Sequence, residues 1–373
     1  MANDALYQIA DTSEIISPGL VVFRDLVEQN LDAMVKIAGG PERLRPHCKT
    51  HKMREVTLLE LDRGITKHKC ATIAEAEMLA EAGVKDIFLA YNPVGPNIRR
   101  VARFVEKFPK VKFAVTADHP GPVAALGEAM LAVGHTVEVL LDIDTGMHRT
   151  GIAIGPAAHV LYERIAATTG LKAGGFHLYD GQNHQKEIAE RRAAVEAVWK
   201  PAAVFRDELV AAGLPVPRIV CGGTASFPIY AAMDDPAIEL SPGTIVFEDW
   251  GYGDAFPDLK FTPAALLLTR VISRPTEGRV TLDLGYKAVA SDPPAGNRLR
   301  FPDLPDAKAV LQNEEHLVIE TSEAERFQPG DELLAIPRHI CPTSALHKQV
   351  YVVSGGQLVG TWAVASRDRM LTV

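Results

Sequence analysis

The chain has 373 residues, 47% of them apolar, and a formal net charge of −8. That length exceeds one small domain and suits a large barrel with a smaller domain attached. The acidic balance, with no basic stripe along any helix, excludes nucleic acid as a partner. No segment reaches the roughly 18 uninterrupted apolar residues of a membrane span, and residues 1–13 are polar and acidic. Cys48, Cys70, Cys221 and Cys341 are scattered without a framework pattern. A reducing, cytoplasmic location is therefore expected, with no membrane partner.

From residue 44 onward, β-like runs alternate with helix-period stretches. Strands are predicted at 44–49, 65–69, 87–92, 112–117, 138–144, 174–179, 218–224 and 238–244. A helix begins at Thr72, where Thr72-x-x-Glu75 has capping-box spacing, and it ends at Gly83. The longest helical stretch, 186–212, stops at Gly213-Leu214-Pro215, and Pro201 inside it is expected to kink or split it. Eight strand–helix units over about 200 residues match a (β/α)8 TIM barrel. Past residue 257 the texture becomes all-β, with strands predicted at 264–273, 279–284, 317–321, 331–336, 350–353 and 357–364. Turn signals such as Pro275-Thr276-Glu277-Gly278 separate them, and 292–306 reads as a Pro-rich loop. An extra strand at 19–23 is assigned to this second domain. The division expected is a barrel over 14–255 and a β-domain over 256–373 joined by residues 1–13.

Reactive groups of a TIM barrel sit at the C-terminal ends of its strands. Read in order, those ends carry Lys49, Asn92, Asp144 with Arg149, His177 with Tyr179, Gly222-Gly223-Thr224, and Gly243-Thr244. Lysine condenses with aldehydes, and burial among cations makes its amine available to do so. The two Gly/Thr loops follow strands seven and eight, where phosphate is commonly held in this architecture. A lysine and a phosphate cradle on one rim point to pyridoxal 5′-phosphate. Strand alternation would put His47, Lys49 and His51 on one face, with Lys52 already turning outward, so Lys49 is the preferred lysine. Far along the chain, His339 and Cys341 would share a face if that segment were a strand, as two ligands of one divalent cation could. Glu314-Glu315-His316 and the 283–292 stretch are the candidates to support them.

Arg45-Pro46-His47-Cys48-Lys49-Thr50-His51-Lys52 and His339-x-Cys341-Pro342-Thr343 closely resemble motifs of the D-threonine aldolase and D-serine dehydratase family. The resemblance extends through residues 70–77, Ala82-Gly83, 142–151, Asp283-x-Gly285-x-Lys287-Ala288 and Gly330-Asp331-Glu332, most of the chain. It implies the alanine racemase fold, with Lys49 as the Schiff-base lysine. His339 and Cys341 would be the ligands of Mn²⁺, Mg²⁺ or Zn²⁺. Tyr179, Thr224, Gly243 and Thr244 would contact the cofactor, and Arg149 would be a further contact. The activity implied is aldolase cleavage of a small D-3-hydroxy amino acid such as D-threonine to glycine and an aldehyde. The alternatives are a dehydratase on D-serine or D-threo-3-hydroxyaspartate, then a racemase or a non-catalytic cofactor carrier. Cys341 stands where aldolases of the family place aspartate and dehydratases place cysteine. Ala71 stands where related aldolases often carry glutamine. His177, His51 and metal-bound water are the candidate bases, and a homodimer is implied.

Overall fold

The computed structural model describes residues 6–373, which form two compact units. One comprises Met34–Lys49, Val56–Gly243 and Asp368–Val373. The other comprises Thr50–Glu55, Thr244–Arg367 and the chain up to Ala33. Residues 1–5, part of the 1–13 segment assigned above to the β-domain, lie outside the described residues.

Strand β1 (Gly19–Phe23) and helices α1 (Arg24–Ala38) and α2 (Arg54–Asp62) precede a parallel sheet. Its strands are β2 (Lys67–Cys70), β3 (Asp86–Leu89), β4 (Lys112–Ala117), β5 (Val137–Asp142), β6 (Leu171–Leu178), β7 (Ile219–Cys221) and β8 (Ile238–Leu240), neighbours in that order. Helices α3 (Ile73–Ala82), α4 (Pro96–Lys107), α5 (Pro120–Ala132), α6 (Pro156–Ala167), α7 (Ile188–Ala211) and α8 (Phe227–Ala231) follow β2 to β7 in turn. Strands covered on both faces read as near-continuous apolar runs, and Phe88, Ala114, Leu140 and Val220 from four of them pack into one buried cluster. Thr72 caps α3 by accepting the Glu75 N–H at 3.1 Å, and Gly83 ends it with a left-handed φ of 105°. Helix α7 is not split at Pro201 but continues through it. Buried residues on both sides of the proline hold it, among them Val195 and Phe205, whose ring stacks on Phe176 of β6 at 5.4 Å. Gly175 in β6 has no alternative, since a Cβ there would stand 1.8 Å from the Arg218 carbonyl oxygen.

The eight predicted barrel strands become seven, and the difference lies at residues 44–49. That segment makes two isolated parallel bridges, Leu44 to Leu240 and His47 to Lys69. Pro46 between them has no N–H to donate, so no continuous ladder can form. The segment still joins both edges of the sheet. Arg45 and His47 donate backbone N–H groups to the Leu240 and Pro242 carbonyls, each at 2.8 Å. On the other edge Cys48 N–H bonds Lys69 O at 2.9 Å, and Lys69 N–H bonds Pro46 O at 2.8 Å. The ring of hydrogen bonds is thus closed by a piece of chain too irregular to be a strand.

Arg45 adds side-chain bonds to that closure. Its fully buried guanidinium meets Asp86 of β3 at 2.8 Å and Glu239 of β8 at 2.5 Å, and Lys67 of β2 shares Glu239 at 2.9 Å. Burial alone would favour the uncharged forms. The Glu239 and Asp86 charges outweigh it for Arg45, and the Arg45 charge brings the Glu239 carboxyl down to about 2. Removing one partner of a buried pair strands the others' charge in low dielectric. Arg45→Met is expected to cost about 3 kcal/mol or more, read as the loss in unfolding free energy by urea titration.

The other unit is mostly sheet. It contains β9 (Ala265–Ser273), β10 (Arg279–Leu282), β11 (Leu299–Arg300), β12 (Lys308–Gln312), β13 (Leu317–Glu320), β14 (Glu332–Pro337), β15 (Gln349–Ser354) and β16 (Gln357–Ala363). Its main path runs β12-β13-β10-β9-β1-β15-β16, with β14 bridging β9 and β11. The predicted extra strand is there as β1, antiparallel to β9 and parallel to β15. Strand β11 lies inside the predicted Pro-rich loop, and β12 follows it. Two residues pairing at one edge, and a half-exposed strand, leave little trace in an apolar pattern.

Glu248 is a strained point of this unit. It is 1% exposed, at a left-handed φ of 48°. Burial, then the charge of Asp249, push its carboxyl up to about 8, and the Asp249 backbone N–H opposes this only in part. A native acid with a raised pKa holds a proton that the unfolded chain has released, so stability falls as pH rises between the ordinary 4.5 and about 8. Urea midpoints at the two ends of that window should show this decline, and Glu248→Gln should flatten it.

Candidate active site

At one end of the parallel sheet, within its own unit, lies a cavity of about 700 Å³, of the size that holds small-molecule ligands. Lys49, Lys69, Asp142, Arg149, His177 and Tyr179 are among its walls. Lys49 reaches it from a turn at the end of the closing segment, not from the end of a strand. The predicted shared face of His47, Lys49 and His51 is therefore lost. The chain turns at residues 48–51, and Lys52 takes a left-handed φ of 58°. His51 belongs to the other unit, where its buried Nδ1 accepts the Met53 N–H at 3.1 Å and its ring meets Phe247 edge-on.

Three cations surround the Tyr179 ring. Lys49 Nζ lies 5.9 Å from its centroid, Lys69 Nζ 5.8 Å and the Arg149 guanidinium carbon 4.9 Å. The ring's negative face attracts all three while they repel one another. Backbone also crowds the tyrosine: a Cβ at Gly181 would stand 2.6 Å from the ring, and one at Gly223 would stand 3.2 Å from it.

Beneath these groups runs a hydrogen-bonded chain. Asp142, at the end of β5, bonds His177 Nδ1 at 2.7 Å, and His177 Nε2 lies 3.3 Å from Lys69 Nζ. Burial would raise the Asp142 carboxyl. The hydrogen bond from His177 outweighs it, aided by Thr150 and the Lys69 charge, and holds the group below the usual carboxylate range. Burial pushes the His177 imidazole down, and the Lys69 charge adds to this. A carboxylate facing a neutral ring takes its Nδ1–H, so Nε2 carries the lone pair and accepts from Lys69. Burial and then the Lys49 charge lower Lys69 to about 7, with Asp142 opposing and Arg149 adding to the fall.

The Gly222-Gly223-Thr224 and Gly243 loops are brought together in the same unit, with Gly243 N–H directed to Thr224 Oγ1 at 3.4 Å. Gly222 sits at φ 71°, where a Cβ would meet Ser226 Oγ at 2.7 Å and the Tyr230 ring at 2.9 Å. Ser226 Oγ accepts the Gly223 N–H and donates to Asp180. Thr244, in the other unit, places its Oγ1 3.5 Å from Cys341 Sγ. A condensing amine, cations for anionic oxygens, a ring-shaped slot and a glycine loop that side chains would fill are features that fit pyridoxal phosphate.

His339 and Cys341 do not lie in a strand. Strand β14 ends at Pro337, and His339 is the N-cap of helix α10 (Ile340–Leu346), with Cys341 in its first turn. Pro342 is tolerated there because first-turn N–H groups have no partner inside the helix. The two side chains still meet. Burial would lower the His339 ring, but its bond to Cys341, the Cys341 charge and Asp292, 2.6 Å from Nδ1, lift it to about 9. Cys341 Sγ also lies 3.2 Å from Thr50 Oγ1. Of the expected supporting groups, Asp292 is in place, whereas Glu314 and Glu315 pair with Lys287. Among the described residues, three potential ligand atoms converge only at His47, Cys48 and Glu75, within 4.8 Å of one another. Local bonds already engage that group: Glu75 takes the Ala71 N–H at 2.6 Å, and His47 Nδ1 accepts the Lys49 N–H at 3.3 Å.

Sequence reasoning overlooked Lys69 and Asp142. A signal existed, since each is a charged residue at or near the C-terminal end of a predicted barrel strand. Asp144, chosen instead of Asp142, braces its own loop by accepting the Gly146 and His148 N–H groups.

Residues 23–249 match the family model described as alanine racemase, N-terminal domain, and 264–353 match that of a putative serine dehydratase domain. The chain is 29% identical to a D-threonine aldolase of Arthrobacter sp over 95% of its length and 93% of the relative's. It is 25% identical to a D-threo-3-hydroxyaspartate dehydratase of Delftia sp. strain HT23, over 93% and 96%. The crystal structure of a D-threonine aldolase from Filomicrobium marinum superposes with a TM-score of 0.88 at 28% identity, covering 94% of this chain and 96% of that one. No helix among the described residues is long and apolar enough to cross a membrane.

Gly222→Ala tests the glycine loop. Strain at positive φ, added to the contacts with Ser226 and Tyr230, should cost about 1–3 kcal/mol in unfolding free energy and weaken retention of pyridoxal phosphate on dialysis.

Proposed function

This chain belongs to the D-threonine aldolase and D-serine dehydratase family, and on that footing we propose a pyridoxal 5′-phosphate- and divalent-cation-dependent lyase. Its substrates are D-3-hydroxy amino acids such as D-threonine, cleaved to glycine and an aldehyde. The observation that carries the reading is Lys49, an amine on a cavity it shares with Arg149, Tyr179 and the Asp142–His177 pair. Pyridoxal phosphate held through Lys49 supplies an electron sink for charge developing at the substrate's α-carbon.

The chain's own residues do the rest. Arg149 and Lys69 provide positive charge for carboxylate or phenolate oxygens. Tyr179 walls the slot from one side. His177, neutral with Nδ1–H on Asp142, accepts from Lys69 at Nε2 and so orients that amine, from which a proton could pass along the chain. The backbone N–H groups of the Gly222-Gly223-Thr224 and Gly243 loops would serve phosphate oxygens. His339 and Cys341 would hold the cation. Imidazole with thiolate is a donor pair suited to Zn²⁺ and compatible with Mn²⁺, and the metal would act as a Lewis acid on a hydroxyl. A homodimer in the cytoplasm belongs to the same proposal.

A second reading has a specific observation behind it. Cys341 is the residue type that the family's dehydratases place at this position, and 264–353 match the serine dehydratase model. That activity would yield a 2-oxo acid and ammonia from D-serine or D-threo-3-hydroxyaspartate.

Incubation with D-threonine separates the two: acetaldehyde and glycine are expected, and keto acid with ammonia would give the site to the dehydratase. The visible band near about 420 nm should vanish in Lys49→Ala. Chelator and His339→Ala should each abolish turnover while leaving that band in place.

A further inference from the structure

We propose that Lys69 is a positioning residue of this site, which fixes His177 through Nε2 and sets the pH at which the nitrogen joining Lys49 to pyridoxal phosphate takes up its proton. The inference rests on reading Lys49 as the cofactor lysine.

Lys69 is the penultimate residue of β2 and is 3% exposed. Both of its backbone polar groups bond the closing segment, through Pro46 and Cys48. The hydrogen bonds that close the ring therefore also aim the Lys69 side chain, and they lie directly before the turn that carries Lys49. Both amines end at nearly the same distance from Tyr179, 5.8 and 5.9 Å.

A buried lysine with a purely structural task takes a carboxylate. Lys67, two residues earlier on the same strand and only part-buried, already does so with Glu239 at 2.9 Å. Among the described residues no carboxylate pairs directly with Lys69; its bonded partner is the His177 imidazole, and Asp142 lies one link further on. An ammonium held by one neutral partner in low dielectric pays a desolvation cost that Lys67 avoids. Its amine accordingly titrates near neutrality, at about 7.

The charged and titratable groups facing the two amines come from every side of the cavity. His47 lies on the closing segment, Asp118 and His119 follow β4, and Asp142 and Arg149 belong to β5 and its loop. His177 and Tyr179 come from β6, and Cys221 from β7. Burial raises the Cys221 thiol well above its ordinary value, so it brings no charge at neutral pH. When protonated, Lys69 opposes a proton on the neighbouring linkage nitrogen and moves that proton's loss to lower pH.

The test is a pH titration of the visible absorbance of the holoenzyme. Lys69→Met should move the midpoint upward by about one pH unit or more, the size of effect a nearby like charge exerts. Lys69→Gln, neutral but still able to bond His177, should show the same upward shift. Lys69→Arg, permanently charged, should leave the midpoint at or below that of the wild type. A Gln or Met curve superposing on the wild type, or an upward shift in Arg, would overturn the proposal; if one neutral variant fails to fold, the other is read against Arg. Absence of any cofactor band in the wild type would instead refute the reading of Lys49, and this inference with it.

Discussion

Arg45 is the residue on which the geometry of the parallel sheet depends. A ring of strands must be closed somewhere, and here the closing segment contains a proline that cannot take part in a ladder. Four backbone hydrogen bonds remain, and the buried guanidinium binds the carboxylates of two separate strands. Charge-assisted bonds of this kind have strict geometry, so they fix the position of the segment more tightly than apolar packing would. A buried ion pair is weak evidence for net stability. Its contribution here is placement, since a slip of the segment would leave the buried guanidinium without its two carboxylates.

Placement passes directly to the chemistry. Lys49 is the last residue of the segment, beside the hydrogen-bonded Cys48, and Lys69 is bonded to the segment through both of its backbone groups. Neither amine is positioned by a long loop. The strained glycine at 222 and the close approach of the 181 and 223 backbones to Tyr179 place the remaining walls with comparable economy of space. Such a site is built on the frame of the sheet, which suits a cofactor whose reactive carbon must stay aligned with a small substrate.

Much of this frame was legible in the sequence, because parallel strands covered on both faces write themselves as short apolar runs between turn residues. The segment at 44–49 was legible as extended chain. Its proline also announced why it could not be a full strand. Helix α10 was harder, since seven residues containing a proline carry almost no periodicity. The fate of His339 and Cys341 turned on that helix, yet the pair meets in either conformation, since neighbours two apart near a helix N-cap can still touch. His51 was misjudged for a different reason: alternation describes a strand, and the chain had already left one. Lys69 stands outside the basic run at 45–52, and no motif around it singles it out. The better rule was chemical: an inward-facing charge on a barrel strand needs a partner or a purpose.

Two buried cations of one unit show how that rule separates them. Arg45 and Lys69 are both almost inaccessible to solvent, and burial opposes the charge of each. Two carboxylates in direct contact reverse the outcome for Arg45, and its charge is secure. Lys69 meets an imidazole on one side and another amine nearby, with its nearest carboxylate already committed to His177. Coulomb attraction weakens with distance and with each intervening dipole, so Asp142 offsets only part of the cost. Arg45 therefore behaves as a fixed part of the scaffold, and Lys69 as a group able to gain or lose a proton at neutral pH. The difference lies in where the carboxylates are, not in how deeply the cations are buried.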